Sequence, residues 1–164
     1  MENIRMIALT QGQFTIVDEE DYEILSRWKW QAVWARGTQS YYAQRSSPRD
    51  VNGKQEIIPM HRQLLGLTKG NRLKGDHINH DTLDNRRINL RAVTAQQNAQ
   101  NRKRYRDNRS GFKGVAKNYG QWVACITVDG KTTVLGRFAT PEAASECYKK
   151  AAQERFGEYA YVEQ

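Results

Sequence analysis

The chain has 164 residues, of which 38% are hydrophobic and 27% charged, so its length and composition favour one soluble domain or two small ones. It has no apolar run near the roughly 18 residues that a membrane-spanning helix needs, and its N-terminus lacks the basic and apolar regions of a secretory signal. The two cysteines, Cys125 and Cys147, are too few for a structural zinc site and are typical of a reducing cytoplasm.

The net charge of +8 is unevenly distributed along the chain. Five acids lie among the six residues 18–23, whereas residues 86–117 contain ten arginines and lysines against Asp107 alone. Such a basic segment favours a phosphate backbone as its partner. Because acids near a helix start interact favourably with the helix dipole, a structural role for residues 18–23 is preferred over a metal site.

The first sixty residues are predicted to form a scaffold of strands and one helix. Residues 4–17 predict a hairpin that turns at Gln11-Gly12, and Asp18 is predicted to cap the following helix. Residues 28–36 and 40–46 alternate as two strands should. We expect the tryptophans of equal parity to line one core face, with stacking on nucleic-acid bases as the alternative: Trp28, Trp30 and Trp34.

The middle of the chain carries the candidate catalytic and metal-binding residues. Residues 57–67 predict a strand that runs into a short helix, and another short strand is predicted to end at Asp76-His77. An Asn- and Asp-rich loop follows at residues 78–89, and Thr94 is predicted to cap a helix over residues 95–105. A carboxylate and an amide oxygen can hold a hard cation, while an imidazole accepts a proton from water. We therefore predict metal-assisted attack on a phosphodiester.

The last third of the chain predicts a three-stranded antiparallel sheet packed on one helix. The Asp129-Gly130 pair is typical of a tight hairpin turn, and Thr140 and Pro141 are typical of a helix start. Alternation places one set of strand residues under the helix: Trp122, Ala124, Ile126 and Val128. The opposite face, with Val123, Cys125 and Thr127, is expected to be free to contact DNA.

Asp76-His77, Asn89-Leu90 and Asn98 resemble the HNH endonuclease motif in its phage and intron homing-endonuclease variant. The resemblance extends from His61 to Arg102 and implies a ββα-metal module with one divalent cation, Mg²⁺ or Mn²⁺. It implies that Asp76 and Asn98 bind the metal, that His77 is the general base and that Asn89 braces the loop. Asn79 and His80 are alternative site residues, while His61 is interpreted as structural.

The segments 111–115, 120–124, 135–138 and 142–144 resemble the apetala/ethylene-response-factor DNA-binding domain. The resemblance implies that the free sheet face enters the major groove. Ala116 and Val134 are among the departures from that family, so base specificity is not carried over. The residues predicted to contact DNA, from this resemblance and from the basic segment, are Arg102, Lys103, Arg104, Arg106, Arg109, Lys113, Lys117, Tyr119, Thr127 and Thr132.

Together these features predict an α+β protein with a nuclease domain over residues 1–102, a basic linker over 103–109 and a DNA-binding domain over 110–164. The expected activity is metal-dependent, site-directed cleavage of double-stranded DNA by a monomer. The expected source is a phage or other mobile element, acting in the cytoplasm of a bacterial host. The alternative is a non-catalytic DNA-binding regulator that retains a vestigial nuclease site.

Overall fold

The computed structural model describes residues 3–104 and 108–161. The chain divides into two compact units, residues 1–94 and 95–164, and each unit mixes short helices with small antiparallel sheets. The α+β class expected from the sequence is therefore observed. Within the described residues, no helix is both long and apolar enough to cross a membrane.

The first unit contains three small sheets and two short helices. The predicted hairpin is confirmed, because its two strands pair antiparallel and both Gln11 and Gly12 adopt positive φ at the turn. A three-stranded sheet and a two-stranded sheet follow along the chain. The elements are β1 (Ile4–Ala8), β2 (Phe14–Asp18), α1 (Glu19–Leu25), β3 (Gln31–Ala35), β4 (Ser40–Ser46), β5 (Ile57–Pro59), α2 (Met60–Leu64), β6 (Lys74–His77) and β7 (Leu90–Val93).

The core of this unit joins the N-terminal hairpin to α1, β4 and α2. Its buried members are Ile7, Val17, Leu25, Trp30, Ala43 and Met60. Because these residues come from elements on both sides of β3, the first sixty residues form one packed body with α2. They therefore provide the scaffold on which β6 and β7 rest within the same unit.

The expectation that three tryptophans line the core is wrong for two of them. Trp30 is only 2% exposed and its indole nitrogen donates to the Leu25 carbonyl over 2.9 Å, but Trp28 is 39% exposed and Trp34 49% exposed. Trp28 and Trp30 precede β3, so strand alternation does not govern them. Trp34 packs edge-on against Tyr41 at the far end of the strand, with ring centroids 5.0 Å apart.

The second unit has the predicted order of strand, hairpin and helix. Its elements are α3 (Ala95–Gln100), β8 (Val115–Asn118), β9 (Gln121–Val128), β10 (Lys131–Phe138) and α4 (Pro141–Phe156). Asp129 and Gly130 both have positive φ at the β9–β10 turn, as the sequence predicted. The Thr140 hydroxyl accepts from the Ala143 amide and confirms the predicted cap. α3 starts after Thr94 as predicted but ends at Gln100, before the expected end at residue 105.

The core of the second unit lies between the sheet and α4. Ala124 and Ile126 are buried beneath Ala144, Tyr148 and Phe156, with Trp122 and Val128 packed at the margin. The predicted inward face of β9 is therefore confirmed. Gly114 adopts φ +71 just before β8, and a Cβ atom there would overlap the Tyr148 ring. This position needs glycine for two reasons, its backbone conformation and the close approach of the ring.

Candidate active site

The β6–β7 ladder sets the position of the central carboxylate. Asp76 lies directly opposite Arg91, and the Arg91 Nε donates to Asp76 Oδ2 over 2.9 Å. Both side chains are nearly buried, so the guanidinium supplies the charge that a buried carboxylate requires. Asp76 is thus held in place as an oxygen donor near the end of a short strand.

His77 follows Asp76 and its imidazole is buried. Its Nε2 lies 3.4 Å from Asn85 Oδ1. Burial lowers the pKa of His77, and the hydrogen bond to Asn85 together with the charges of Asp76, Asp81 and Asp84 offsets only part of that effect. The imidazole is therefore neutral at pH 7, which is the state in which it can accept a proton.

Two further aromatic rings pack around His77. The ring centroids of His61 and His77 are 5.0 Å apart, and Tyr42 lies 5.8 Å from His61 and 6.1 Å from His77. A Cβ atom on Gly75 would overlap the His61 ring, so β6 needs glycine at this position. The sequence interpretation of His61 as structural did not include this contact with the proposed base, because α2 and β6 are separated by a loop.

The neutral state of His61 gives the first unit a predicted pH dependence. Burial lowers the pKa of His61 to about 3, helped by His77 and Arg62, against an ordinary value of 6.5. Below pH 6.5 the unfolded chain therefore binds a proton that the folded chain does not. The free energy of unfolding should be undiminished above pH 6.5 and fall on acidification, by up to about 1.4 kcal/mol per pH unit.

Urea denaturation followed between about pH 7 and pH 5, above most carboxyl titrations, measures this effect. His61→Phe keeps an aromatic ring but removes the titrating group, so its stability should depend less steeply on pH than that of the wild type. His77 contributes in the same direction and remains in the variant. Equal pH slopes for the two proteins would contradict the assignment.

The loop between β6 and β7 is closed by Asn89. Its Oδ1 accepts from the Asn79 amide over 2.9 Å, and its Nδ2 donates to the Asp84 carbonyl over 2.8 Å. The Asn89 carbonyl also accepts from the Ile78 amide. One buried side chain thus joins both limbs of the loop, which is the arrangement that a bracing role requires. Asn79, an alternative site residue, contributes its own side chain to Asp84.

Asp84 is the second fixed point of this loop. The Arg86 guanidinium binds it through two parallel bonds, Nε to Oδ1 at 2.8 Å and Nη2 to Oδ2 at 2.7 Å. Burial raises the pKa of Asp84, but the hydrogen bonds from Arg86 and Asn79 and the Arg86 charge outweigh it, and the net pKa lies below its usual value. Asp84 is therefore ionised at neutral pH and anchors the loop through charge-assisted bonds.

The acidic N-terminal cluster holds the same loop from the other side. The Arg87 guanidinium donates to both carboxylate oxygens of Asp21, at 2.7 and 2.8 Å, and the Arg87 amide donates to Asp18 Oδ2 at 2.7 Å. The structural interpretation of the acids fits this arrangement. Asp18 occupies the N-cap position of α1 as predicted, but its side chain makes no capping bond, and the carboxylate accepts from the Arg87 amide instead.

The remaining predicted ligand, Asn98, lies half-buried in α3, and α3 belongs to the second unit. Its role as a metal ligand stays a prediction. Within residues 3–104 and 108–161, no three His, Cys, Asp or Glu side chains cluster as metal ligands. One carboxylate and one amide are hard oxygen donors, a set that suits Mg²⁺ when water and phosphate complete the coordination shell. His80 adopts φ +63 in the loop, half-buried, and its role also stays a prediction.

The residues predicted to contact DNA lie in the second unit. Arg102, Lys103, Arg104 and Arg109 are exposed, whereas Arg106 lies outside the described residues. Tyr119 is 97% exposed, Lys117 Nζ lies 5.4 Å from the Trp122 ring, and the hydroxyls of Thr127 and Thr132 are 2.8 Å apart across the hairpin. Contact of these residues with a phosphate backbone stays a prediction.

Lys113 has a structural function that the sequence did not indicate. Its ammonium donates to the Gln100 carbonyl and, over 2.7 Å, to the Arg102 carbonyl, where α3 ends. Burial lowers the pKa of Lys113 to about 8, and the Arg102 charge contributes. A cation at these carbonyls compensates the negative end of the helix. A phosphate contact by Lys113 stays a prediction.

The expectation of a free front face on the sheet is wrong at Val123, which is only 4% exposed, whereas Thr127 on the same face is exposed as expected. Cys125 and Thr127 line a cavity of about 460 Å³ together with residues of α3 and residues 102–104. The side-chain nitrogen of Gln96, Nε2, donates to Asp129 Oδ1 over 2.7 Å and links α3 to the β9–β10 turn. Residues 95–104 thus border this part of the sheet, and sequence alternation alone could not reveal this because it reports only which side chains share a face.

Residues 74–100 match a family model described as HNH endonuclease. Over 160 residues the chain is 29% identical to an uncharacterized HNH endonuclease of Acanthamoeba polyphaga mimivirus, a match that covers 94% of this chain and 77% of that protein. The matched segment contains β6, the braced loop, β7 and α3. These similarities support a nuclease that acts on DNA. The family match ends at residue 100, before the sheet formed by β8, β9 and β10. The apetala-type resemblance of that part of the chain therefore stays a prediction.

Proposed function

We propose that the chain, whose residues 74–100 resemble HNH endonucleases, is a site-directed DNA endonuclease that hydrolyses phosphodiester bonds with one divalent metal ion. The observation that carries this proposal is the buried, neutral His77 beside Asp76 at the end of β6, where the chain enters a loop that Asn89 holds closed. A rigid loop keeps the base in one orientation, which is what proton abstraction from an attacking water requires.

In the proposed reaction, the His77 imidazole takes a proton from the water that attacks the phosphorus atom. Asp76 and Asn98 would hold Mg²⁺ or Mn²⁺, and the bound cation supplies stabilisation of the negative charge that develops on the phosphate and on the leaving oxygen. Asn89 keeps the loop from opening. The products are a 5′-phosphate and a 3′-hydroxyl, and one such site per chain favours nicking by a monomer.

The second unit is proposed to bind double-stranded DNA through the exposed cations of residues 102–117. Support comes from their number and from the exposure of Arg102, Lys103, Arg104 and Arg109. Binding through several phosphates predicts that the logarithm of affinity falls with the logarithm of salt concentration, by about 0.9 per phosphate contacted. The viral origin of the similar endonuclease fits a mobile element. The proposed site of action, as expected from the sequence, is the cytoplasm of a bacterial host.

The proposal is tested with a plasmid library that carries fragments of phage genomes, incubated with the protein in Mg²⁺ or in EDTA. We expect relaxed circles in Mg²⁺, with breaks recurring at the same sequences and bearing 5′-phosphates, and no breaks in EDTA. The ratio of nicked to linear product reports strand use. Salt-sensitive binding to the library without cleavage would contradict the nuclease and favour the regulator.

A further inference from the structure

A chain of buried hydrogen bonds leads from the N-terminal hairpin to His77. The Thr15 hydroxyl donates to the Leu83 carbonyl over 2.7 Å, and Asn85 Nδ2 donates to Thr15 Oγ1 over 2.8 Å. Asn85 Oδ1 lies 3.4 Å from His77 Nε2. Thr15 and Asn85 are both 0% exposed, so water does not supply alternative partners for these groups.

The direction of every bond in this chain follows from its first acceptor. A carbonyl oxygen can only accept, so the single hydroxyl proton of Thr15 points at Leu83. The Met60 sulfur, 4.0 Å from the same hydroxyl, is a weak acceptor and does not compete. Thr15 Oγ1 must then accept from the amide nitrogen of Asn85, which turns the amide oxygen of Asn85 towards His77.

The amide oxygen in turn determines which imidazole nitrogen carries the proton. Asn85 Oδ1 has no proton to give, so its contact with His77 requires a proton on Nε2. In a neutral imidazole, a proton on Nε2 leaves the lone pair on Nδ1. The opposite tautomer would bring two lone pairs together in a buried site. Rotating the Asn85 amide to avoid this would only move the same conflict to Thr15.

The backbone keeps the members of this chain in register. The Ile16 amide donates to the Leu83 carbonyl over 3.0 Å, and the Asn85 amide donates to the Ile16 carbonyl over 2.9 Å. Ile16, the residue next to Thr15, is therefore bonded to the loop at both Leu83 and Asn85, and these two bonds hold Thr15 beside the same partners.

We propose that Asn85 and Thr15 are positioning residues that fix His77 as the Nε2-protonated tautomer and thereby present Nδ1 as the basic atom. The inference rests on the proposed nuclease function and deepens it, because it names the atom that takes the proton from water. Neither residue touches substrate in this scheme. Their effect passes entirely through the imidazole of His77.

Long-range proton–nitrogen NMR on protein with labelled histidines tests the proposal. The spectrum shows which ring nitrogen bears the proton, and the absence of one signal set in His77→Gln assigns His77. We expect Nε2-bound proton in the wild type and a mixture of tautomers in Thr15→Val, which has the same shape as threonine but no hydroxyl. Thr15→Ser should restore the wild-type spectrum, because it restores the hydroxyl.

Cleavage by the same proteins provides a second readout. Thr15→Val should lower kcat about tenfold with KM unchanged, a part of the roughly 10²–10⁴-fold that a general base contributes, and Thr15→Ser should recover it. Thr82→Val is the matched control: Thr82 lies in the same loop as Asn85, and its buried hydroxyl donates to the Tyr41 carbonyl of β4 rather than to the chain that leads to His77. It should keep the wild-type tautomer and kcat.

A proton on Nδ1 in the wild type, or an unchanged tautomer in Thr15→Val, would overturn the proposal. If Thr15→Val does not fold, Asn85→Leu replaces it, since leucine is close to asparagine in shape but cannot accept from Nε2, and the same mixture of tautomers is expected there. The NMR result does not depend on cleavage. Wild-type protein with the Nε2-bound proton but no nuclease activity would overturn the proposed function and leave the hydrogen-bond assignment in place.

Discussion

Replacement of His77 by alanine is expected to lower the rate of DNA cleavage about 10²–10⁴-fold, the usual contribution of a general base. DNA affinity should stay unchanged, because the proposed phosphate contacts lie on the exposed cations of residues 102–117. Single-turnover cleavage in Mg²⁺ measures the rate, and fluorescence anisotropy in Ca²⁺ or EDTA measures the affinity. Loss of both together would point to misfolding rather than to a lost base.

The matched control for this variant is His80→Asn. His80 lies in the same loop at φ +63, a conformation that asparagine tolerates and alanine does not. It should cut DNA at close to the wild-type rate. A His77→Ala protein that still cuts normally would show that another group takes the proton, and a slow His80→Asn protein would move that role to His80.

Replacement of Gly114 by alanine is expected to destabilise the second unit by about 2–5 kcal/mol. Two costs add: roughly 1–2 kcal/mol for a side chain at positive φ, and roughly 1–3 kcal/mol for overpacking against the buried Tyr148 ring. The Gly114 carbonyl also accepts from the Cys125 amide over 2.8 Å, so the backbone cannot move away freely. Hydrogen exchange of amides in β9 and α4 reports the stability of this unit.

Gly120→Ala separates the two costs. Gly120 has φ +82, similar to Gly114, but its missing Cβ would meet no atom within 4 Å. The control should therefore lose only the roughly 1–2 kcal/mol of backbone strain. Equal losses in the two variants would mean that the Tyr148 ring moves aside without cost.

Features encoded by neighbouring residues were predictable from the sequence. Asp129-Gly130 turned where expected because a tight hairpin needs two residues that tolerate positive φ. Thr140 and Pro141 began α4 because capping involves atoms only three residues apart. The β1–β2 hairpin and the inward face of β9 followed for the same reason. In each case the interaction that decides the structure is local.

Features that depend on distant partners were not predictable. Asp18 is a residue type that often caps helices, yet its carboxylate accepts a hydrogen bond from the amide of Arg87, 69 positions away. Asn85 looked like one of several asparagines in a polar loop, and its partner Thr15 is 70 positions away. Trp34 has the same alternation in sequence as the buried Trp30, but it lies near the end of β3 and is exposed. The segment with the motif was thus recognisable, while the side chains that orient His77 were not.

The long separation between Thr15 and Asn85 has a consequence for how the protein is made and how it could be reused. The hairpin leaves the ribosome before the loop, so the loop is shaped against a template that is already present. Bringing residues 15 and 85 together costs conformational entropy. The contacts within the loop do not offset this cost until the loop packs on the β1–β2 hairpin. A transplanted segment 61–101 would carry the reactive groups without their template. Segment 61–101 is therefore not expected to keep the orientation of His77 on its own. A graft into another scaffold would have to include the β1–β2 hairpin.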